Sequence, residues 1–502
     1  MGNSGQNRMV WRLFQLLLAM LAALGATPTS AQSVDVVKTN PLKVYMHYMP
    51  WFDTPAVLGG SNWGYHWKMQ TQNPNIVDAS GKRQIASHYY PKIGPYQSSD
   101  PAVIEYHMLL MKYSGVDGIM MDWYGVQGTN GDIGLLLDNS NAIVNKMDDF
   151  GLGFSVVMED RFSANINQAK ANVAYLRDNY FNKPNYIRLG SGDDPLVGIF
   201  GPITFQQPSQ WTDILNQAGE DVNLLTLWYE SADAGGNADG EYAWIYQDAN
   251  TTNHLTHTRN FYLNRANAVN IAGGAAYPGF NDFYQEGGAG NGYFTIPSND
   301  GQTLAQTLAV ANLYSSRIDF LQLATFNDFG EGTMLEPTVE TGFDYLKQIQ
   351  QFTGVIYGED ELQLIYQLYM ARKEYAGNGA IQGMLDQVSS LLNQLEVVEA
   401  TLLLNTAAPA GDYNSDGLVD MADYMVWRNS FGSPTILYGS GADGNYDGVV
   451  DAADFTIWRN SLGAGGSGAI AVPEPSATFL TILAAAAVIR ARAGIRSYCG
   501  AS

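Results

Sequence analysis

The sequence predicts an α/β protein built on a TIM-like (β/α)8 barrel, followed by a helical extension and a small α-helical calcium-binding module. Three observations predict it. Eight short apolar runs alternate with helical spans between residues 40 and 375. Two copies of an Asp/Asn/Gly loop recur 31 residues apart near the C-terminus. The 502-residue chain, 46% hydrophobic and 15% charged, is too long for one core and too apolar for disorder.

Residues 1–31 read as a signal peptide. Arg8 and Arg12 precede the apolar run Leu13–Leu24, and Thr29-Ser30-Ala31 offers the small residues a signal peptidase needs. The run is shorter than the ~20 residues that span a bilayer. Export is therefore expected. The formal charge of −23 excludes a nucleic-acid partner, because such affinity rests on Lys and Arg neutralising phosphates. A neutral substrate suits this charge. The only cysteine is Cys499, so no intramolecular disulfide can form.

The barrel is expected over 40–375. Its eight runs are Val44–Tyr48, Gly118–Tyr124, Phe154–Glu159, Leu196–Phe200, Leu224–Tyr229, Tyr242–Tyr246, Ala272–Tyr277 and Phe320–Phe326. Several end in polar or aromatic clusters, and strand C-termini are where such barrels keep their chemistry. Trp and Tyr faces suit sugar rings, whose C–H faces pack on aromatic planes while their hydroxyls meet carboxylates and amides. Candidate substrate contacts are His47, Tyr48, Trp51, His66, Trp67, Asp122, Trp123, Glu159, Arg161, Trp228, Tyr229, Asp282 and Asn327.

Several segments carry a family resemblance: Tyr48-Met49-Pro50-Trp51-Phe52, Gly64-Tyr65-His66-Trp67, His88 to Tyr96, Ser98-Ser99-Asp100-Pro101, Gly115-Val116-Asp117-Gly118-Ile119 and Pro278-Gly279-Phe280-Asn281-Asp282. Together with Thr325 to Pro337 they resemble glycoside hydrolase family 99, in which the last segment reads Asn-Glu-Trp-His-Glu-Gly-Thr. Here Asp328 replaces the first Glu, and Phe329-Gly330 replaces Trp-His. The resulting Asn-Asp-Phe-Gly-Glu looks like the Asn-Asp-Tyr-Gly-Glu of family 71, the α-1,3-glucanases.

The resemblance implies a glycosidase acting on an α-linked polysaccharide, α-mannan or α-glucan, with Asp328 and Glu331 as its catalytic carboxylates and no cofactor needed for catalysis. Glu331 would be the general acid/base. In the family 99 pattern Asp328 would deprotonate the sugar 2-hydroxyl, with retention. In the family 71 pattern the pair would direct water attack, with inversion. Asp is one methylene shorter than Glu, so both routes stay open. Two other readings fit the same sequence: a non-catalytic carbohydrate-binding surface protein, and an envelope interaction protein acting through the calcium module.

Residues 376–404 are expected to form a helical extension, with Leu385, Val388, Leu391, Leu392 and Leu395 at helical spacing. Linkers follow at 405–411 and 464–471, rich in Ala, Gly, Pro and Ser. The module between them, 412–463, carries its metal-ligand candidates at Asp412, Asn414, Asp416, Asp420 and Asp423, and at Asp443, Asn445, Asp447, Asp451 and Asp454. These are loop positions 1, 3, 5, 9 and 12, with Leu418 and Val449 offering backbone carbonyls at position 7 and glycine at position 6. Eight acidic side chains in two short loops repel one another without a cation, so two structural Ca2+ sites are expected. Each loop ends in Asp and is followed by one short helix, so the pair resembles a type I dockerin, implying a cohesin-like partner.

The C-terminal segment 472–502 places Val472-Pro473-Glu474-Pro475-Ser476 before the apolar Ala477–Ile489 and then Arg490, Arg492 and Arg496. It resembles a PEP-CTERM sorting tail, which implies a transient membrane helix, a sorting enzyme acting at the Pro-Glu-Pro site, and a location at the cell envelope or outside.

Overall fold

In the computed structural model the described residues are 33–464, apart from 252 and 436–438. The expected signal peptide, the sorting tail and nearly all of the second linker lie outside them. No helix among the described residues is long and apolar enough to cross a membrane.

Among the described residues nine strands form: β1 Lys43–Tyr48, β2 Gly118–Trp123, β3 Gly153–Met158, β4 Arg188–Leu189, β5 Asp194–Ile199, β6 Asn223–Leu227, β7 Gly240–Tyr242, β8 Ile271–Ala276 and β9 Phe320–Leu323. All but β4 pair in parallel with their neighbours, β3 joins β5 directly, and β9 returns to β1, closing an eight-stranded barrel. Each expected run meets one barrel strand, although Tyr242–Tyr246 shares only its first residue with β7. The two-residue β4, antiparallel to β5, had no run to mark it.

Strand alternation sorts the side chains into two layers. Tyr45, Met120, Val157, Leu196, Leu225, Tyr242, Ile271 and Phe320 fill the barrel interior. One position along, Val44, Met46, Tyr48, Ile119, Met121, Trp123, Val156 and Met158 point outward into the layer shared with the helices. Helix Pro101–Tyr113 starts on the Asp100 side chain, which accepts from Ala102 N at 2.9 Å. It is covered in turn by helix Glu359–Glu374, locked across by a bidentate Arg372–Glu105 pair.

The extension comprises helices Gly379–Asn393 and Val397–Ala407, packed on each other. Leu385, Val388 and Leu392 are buried in the main core. The second helix runs three residues into the segment expected as a linker and buries Leu404 and Ala407. Alanine, which signalled a linker by composition, is the strongest helix former when an apolar surface lies beside it.

In the module, helices Met421–Ser430 and Ala452–Ser461 follow the two loops, each opened by a reciprocal cap, Asp420 with Asp423 and Asp451 with Asp454. The repeated tryptophans are exchanged across a pseudo-twofold. Trp427 donates its indole N–H to Asp451 O and Trp458 donates to Asp420 O, both at 2.7 Å.

Candidate active site

The C-terminal ends of the strands surround a cavity of about 360 Å3 lined by His47, Trp51, His66, Asp122, Glu159, Arg161, Asp328 and Glu331, all expected from the sequence. The segment after β9 is fixed from several sides. Phe326 N donates to His47 O at 2.7 Å, carrying the barrel pairing one step further. Asp328 N donates to Thr325 Oγ1, and the Thr325 and Thr333 hydroxyls meet at 2.9 Å. Phe329 is fully buried against Phe52 and Trp67. A tight turn then brings Glu331 beside Asp328, whose Oδ1 accepts from Glu331 N at 2.9 Å. Gly332, at φ +66°, has no room for a Cβ, which would meet Asn281 O at 2.6 Å.

Burial sets the chemistry of this pair. Asp328 is 3% exposed, and desolvation raises its pKa to about 7 against backbone N–H bonds that lower it. Glu331 rises to about 8, through burial first and the charge of Asp328 second, while the Tyr284 hydroxyl, donating to Oε1 at 3.0 Å, holds it down. Two adjacent carboxyls that burial holds above the ordinary carboxylate range are suited to acid/base work near neutral pH.

Across the cavity Glu159 accepts from Arg161 Nη2 at 3.1 Å and forms an ion pair with it, yet desolvation still lifts its pKa to about 7. Asp122 is 2% exposed and its Oδ2 has no hydrogen-bond partner in the protein; burial and then the Glu159 charge push its pKa well up. His47 Nδ1 and Trp51 Nε1 are likewise buried without partners. Unpaired polar atoms in a cavity wall are costly unless a ligand meets them. The His66 ring stacks on Trp51 at 4.0 Å and 6°. Burial lowers the pKa of both His47 and His66 to about 3, so both are neutral.

Other expected contacts lie away from the cavity. Tyr48 and Trp123 follow His47 and Asp122 by one position, so alternation turns them outward; Tyr48 bonds His107 at 2.8 Å. Trp67 is buried, donating to Tyr96 O. Asn327 clamps Met49, accepting from its N at 2.8 Å and donating to its O at 3.0 Å. The Asp282 carboxylate accepts from Tyr284 N and Tyr293 N, shaping the loop that delivers Tyr284. Trp228 and Tyr229 sit at the end of β6 outside the cavity lining.

Sequence reasoning missed Met49, Tyr65, Met69, Tyr124, Phe162, Phe200, Trp244, Tyr284 and Gly330 in the lining. For Trp244 a signal existed, since counting two from the inward Tyr242 turns it into the barrel. There it meets His47 edge-on at 4.8 Å.

Residues 41–233 match the model of glycosyl hydrolase family 99, and residues 410–463 match the type I dockerin domain. Over those two stretches the chain is similar to a family 99 glycosyl hydrolase domain and to a type I dockerin domain. Among curated relatives, glycoprotein endo-alpha-1,2-mannosidase of Mus musculus is 24% identical over 210 residues, 39% of this chain and 45% of its own. That of Rattus norvegicus is 26% identical over 211 residues, 39% and 45%. The Danio rerio glycoprotein endo-alpha-1,2-mannosidase-like protein is 22% identical over 326 residues, 59% and 71%. The chain thus spans about half the length of the first two. A solved structure of the GH99 endo-alpha-mannosidase from Bacteroides thetaiotaomicron is similar at TM-score 0.49 and 19% identity, covering 64% of this chain and 98% of that one.

Type I dockerin domains are generally calcium-binding. The donors of both loops fit a hard cation in kind and order, and the backbones agree. Position 4 has positive φ in each (Ser415 +61°, Tyr446 +64°), as does the position 6 glycine (+87° in both). Asp423 and Asp454, however, accept the backbone N–H groups of their own loops with both oxygens. Among the described residues no three His, Cys, Asp or Glu side chains gather as a metal site. The loop sets draw also on Asn414, Asn445 and main-chain carbonyls.

Proposed function

We propose that the protein is an exported glycosidase that cleaves an α-linked mannan-type glycan, with Glu331 as general acid/base and Asp328 as the second carboxylate. The observation that carries this reading is the buried Asp328–Glu331 pair on one rigid turn at the mouth of a barrel whose residues 41–233 match the family 99 model. Glu331, whose proton affinity burial and the neighbouring Asp328 charge raise, delivers its proton to the leaving glycosidic oxygen. Asp328, whose Oδ1 accepts from the Glu331 backbone N–H, takes a proton from a sugar hydroxyl or a water. Trp51 and His66 supply an aromatic wall, and Asp122, Glu159, Arg161 and His47 supply hydroxyl contacts. The relatives named endo-alpha-1,2-mannosidase direct the choice to α-mannosyl linkages and internal cleavage.

The dockerin domain would hold two structural Ca2+ ions and bind a cohesin-like partner outside the cell, with the Pro-Glu-Pro tail providing a transient membrane anchor and a sorting-enzyme site. The deciding experiment is incubation with a panel of α-mannans and α-glucans, following product size and the first-formed anomer by NMR. Release of oligosaccharides from an α-mannan supports the reading. Binding without any product after long incubation would favour a non-catalytic carbohydrate-binding protein.

A further inference from the structure

The dockerin domain is not tethered loosely. Its first loop rests on the end of the barrel helix Glu359–Glu374, where Ser415 donates to Glu374 Oε1 and Tyr375 donates to Asp412 Oδ2, both at 2.7 Å. Tyr446 of the second loop packs with the barrel core, its ring 6.2 Å from that of Tyr366.

The two loops differ in one respect. In each, the position 1 aspartate receives the glycine N–H of position 6 on Oδ2, from Gly417 in the first loop and Gly448 in the second. In each, a hydroxyl completes the same oxygen at 2.7 Å. In the second loop that hydroxyl belongs to Thr435, a residue of the module itself, and Gly439 N adds a further bond. In the first it belongs to Tyr375, a residue of the barrel domain. The opposite oxygen, Oδ1, accepts a single long backbone bond in each case, from Asp416 N at 3.2 Å and from Asp447 N at 3.1 Å.

We propose that Tyr375 of the barrel domain is a positioning residue for the first calcium loop, filling the place that Thr435 fills in the second, so that calcium binding and docking of the module onto the barrel strengthen each other. A donor behind a ligating carboxylate fixes its orientation and leaves the front oxygen for the metal. Because Tyr375 can act only when the module is docked, linkage makes the effect mutual. The inference rests on the reading that the loops bind calcium.

The test uses the full chain. Calcium titration against a competing chelator gives two constants for the wild type. Tyr375→Phe, which keeps the ring and removes the hydroxyl, is expected to weaken one of them about tenfold, the scale of a hydrogen bond to a charged group. Thr435→Val is expected to weaken the other, and Tyr375→Phe should lower the melting temperature by more in calcium than in chelator. In wild-type protein, calcium should slow amide exchange in 359–375 as well as in the module. That arm needs no variant and so covers a failure of Tyr375→Phe to fold. Two wild-type constants that Tyr375→Phe leaves unchanged, or exchange in 359–375 indifferent to calcium, would overturn the coupling alone. A wild type that binds no calcium would overturn the calcium reading and the coupling together.

Discussion

Tyr284 donates its hydroxyl to Glu331 Oε1 at 3.0 Å, the one hydrogen bond to the proposed acid's carboxyl among the described residues. That bond stabilises the ionised form of Glu331 and lowers its proton affinity. Tyr284→Phe is therefore expected to raise the pKa of Glu331, moving the alkaline limb of kcat/KM to higher pH while kcat falls about tenfold. A pH–rate profile of the variant on an α-mannan checks both effects.

Asp328→Asn and Glu331→Gln should each lower kcat by about 10²-fold or more, the scale of general acid–base catalysis. Oligosaccharide binding should persist, because the aromatic wall of Trp51 and His66 is untouched. Reducing-end release and calorimetric binding on the same samples separate the two quantities.

The pair also makes stability depend on pH. Both acids have folded-state pKa values raised above the ordinary carboxylate range, to about 7 and about 8. The folded protein thus holds more protons than the unfolded chain between pH ~4 and those values, and their contribution, full below pH ~4, is lost as pH rises through 7 to 8. Glu331→Gln cannot ionise. Its melting temperature should exceed that of the wild type at pH 8 by more than it does at pH 5, as differential scanning calorimetry would read.

Glu336 sits five residues after Glu331 but serves the scaffold. Its fully buried carboxylate accepts from the Tyr96 hydroxyl at 2.7 Å and faces His107 Nε2 at 3.4 Å. Glu336→Ala should destabilise the protein by roughly 2–4 kcal/mol, since it leaves the buried Tyr96 hydroxyl without its acceptor and opens a cavity. Glu336→Gln should recover much of that loss, with the pH–rate limbs unmoved in folded protein.

The barrel was legible because each parallel strand begins in or overlaps an apolar run between helical spans, and the turn proposed here as catalytic stood out because Asp328 and Glu331 sit in a distinctive motif. What stayed hidden depends on direction and on distant chain. Tyr48 and Trp123 look like site residues by type, yet they are one step out of register with His47 and Asp122 and face the helices. Asn327 stands beside Asp328 in sequence, but its amide is consumed by Met49, 278 residues away. Tyr284 reaches Glu331 only because the loop closed by Asp282 folds over it, and no periodicity encodes that loop.

The bond from Tyr375 to Asp412 would bear on how the proposed glycosidase meets a glycan. A catalytic head on a swinging tether sweeps a volume and can turn its mouth to any face of a substrate. Here the loop that would hold calcium is seated on the barrel itself. Whatever grips the module therefore also aims the cavity, and the enzyme would graze at one reach and one heading, dependent on movement of its support or its food for every new bond it cuts.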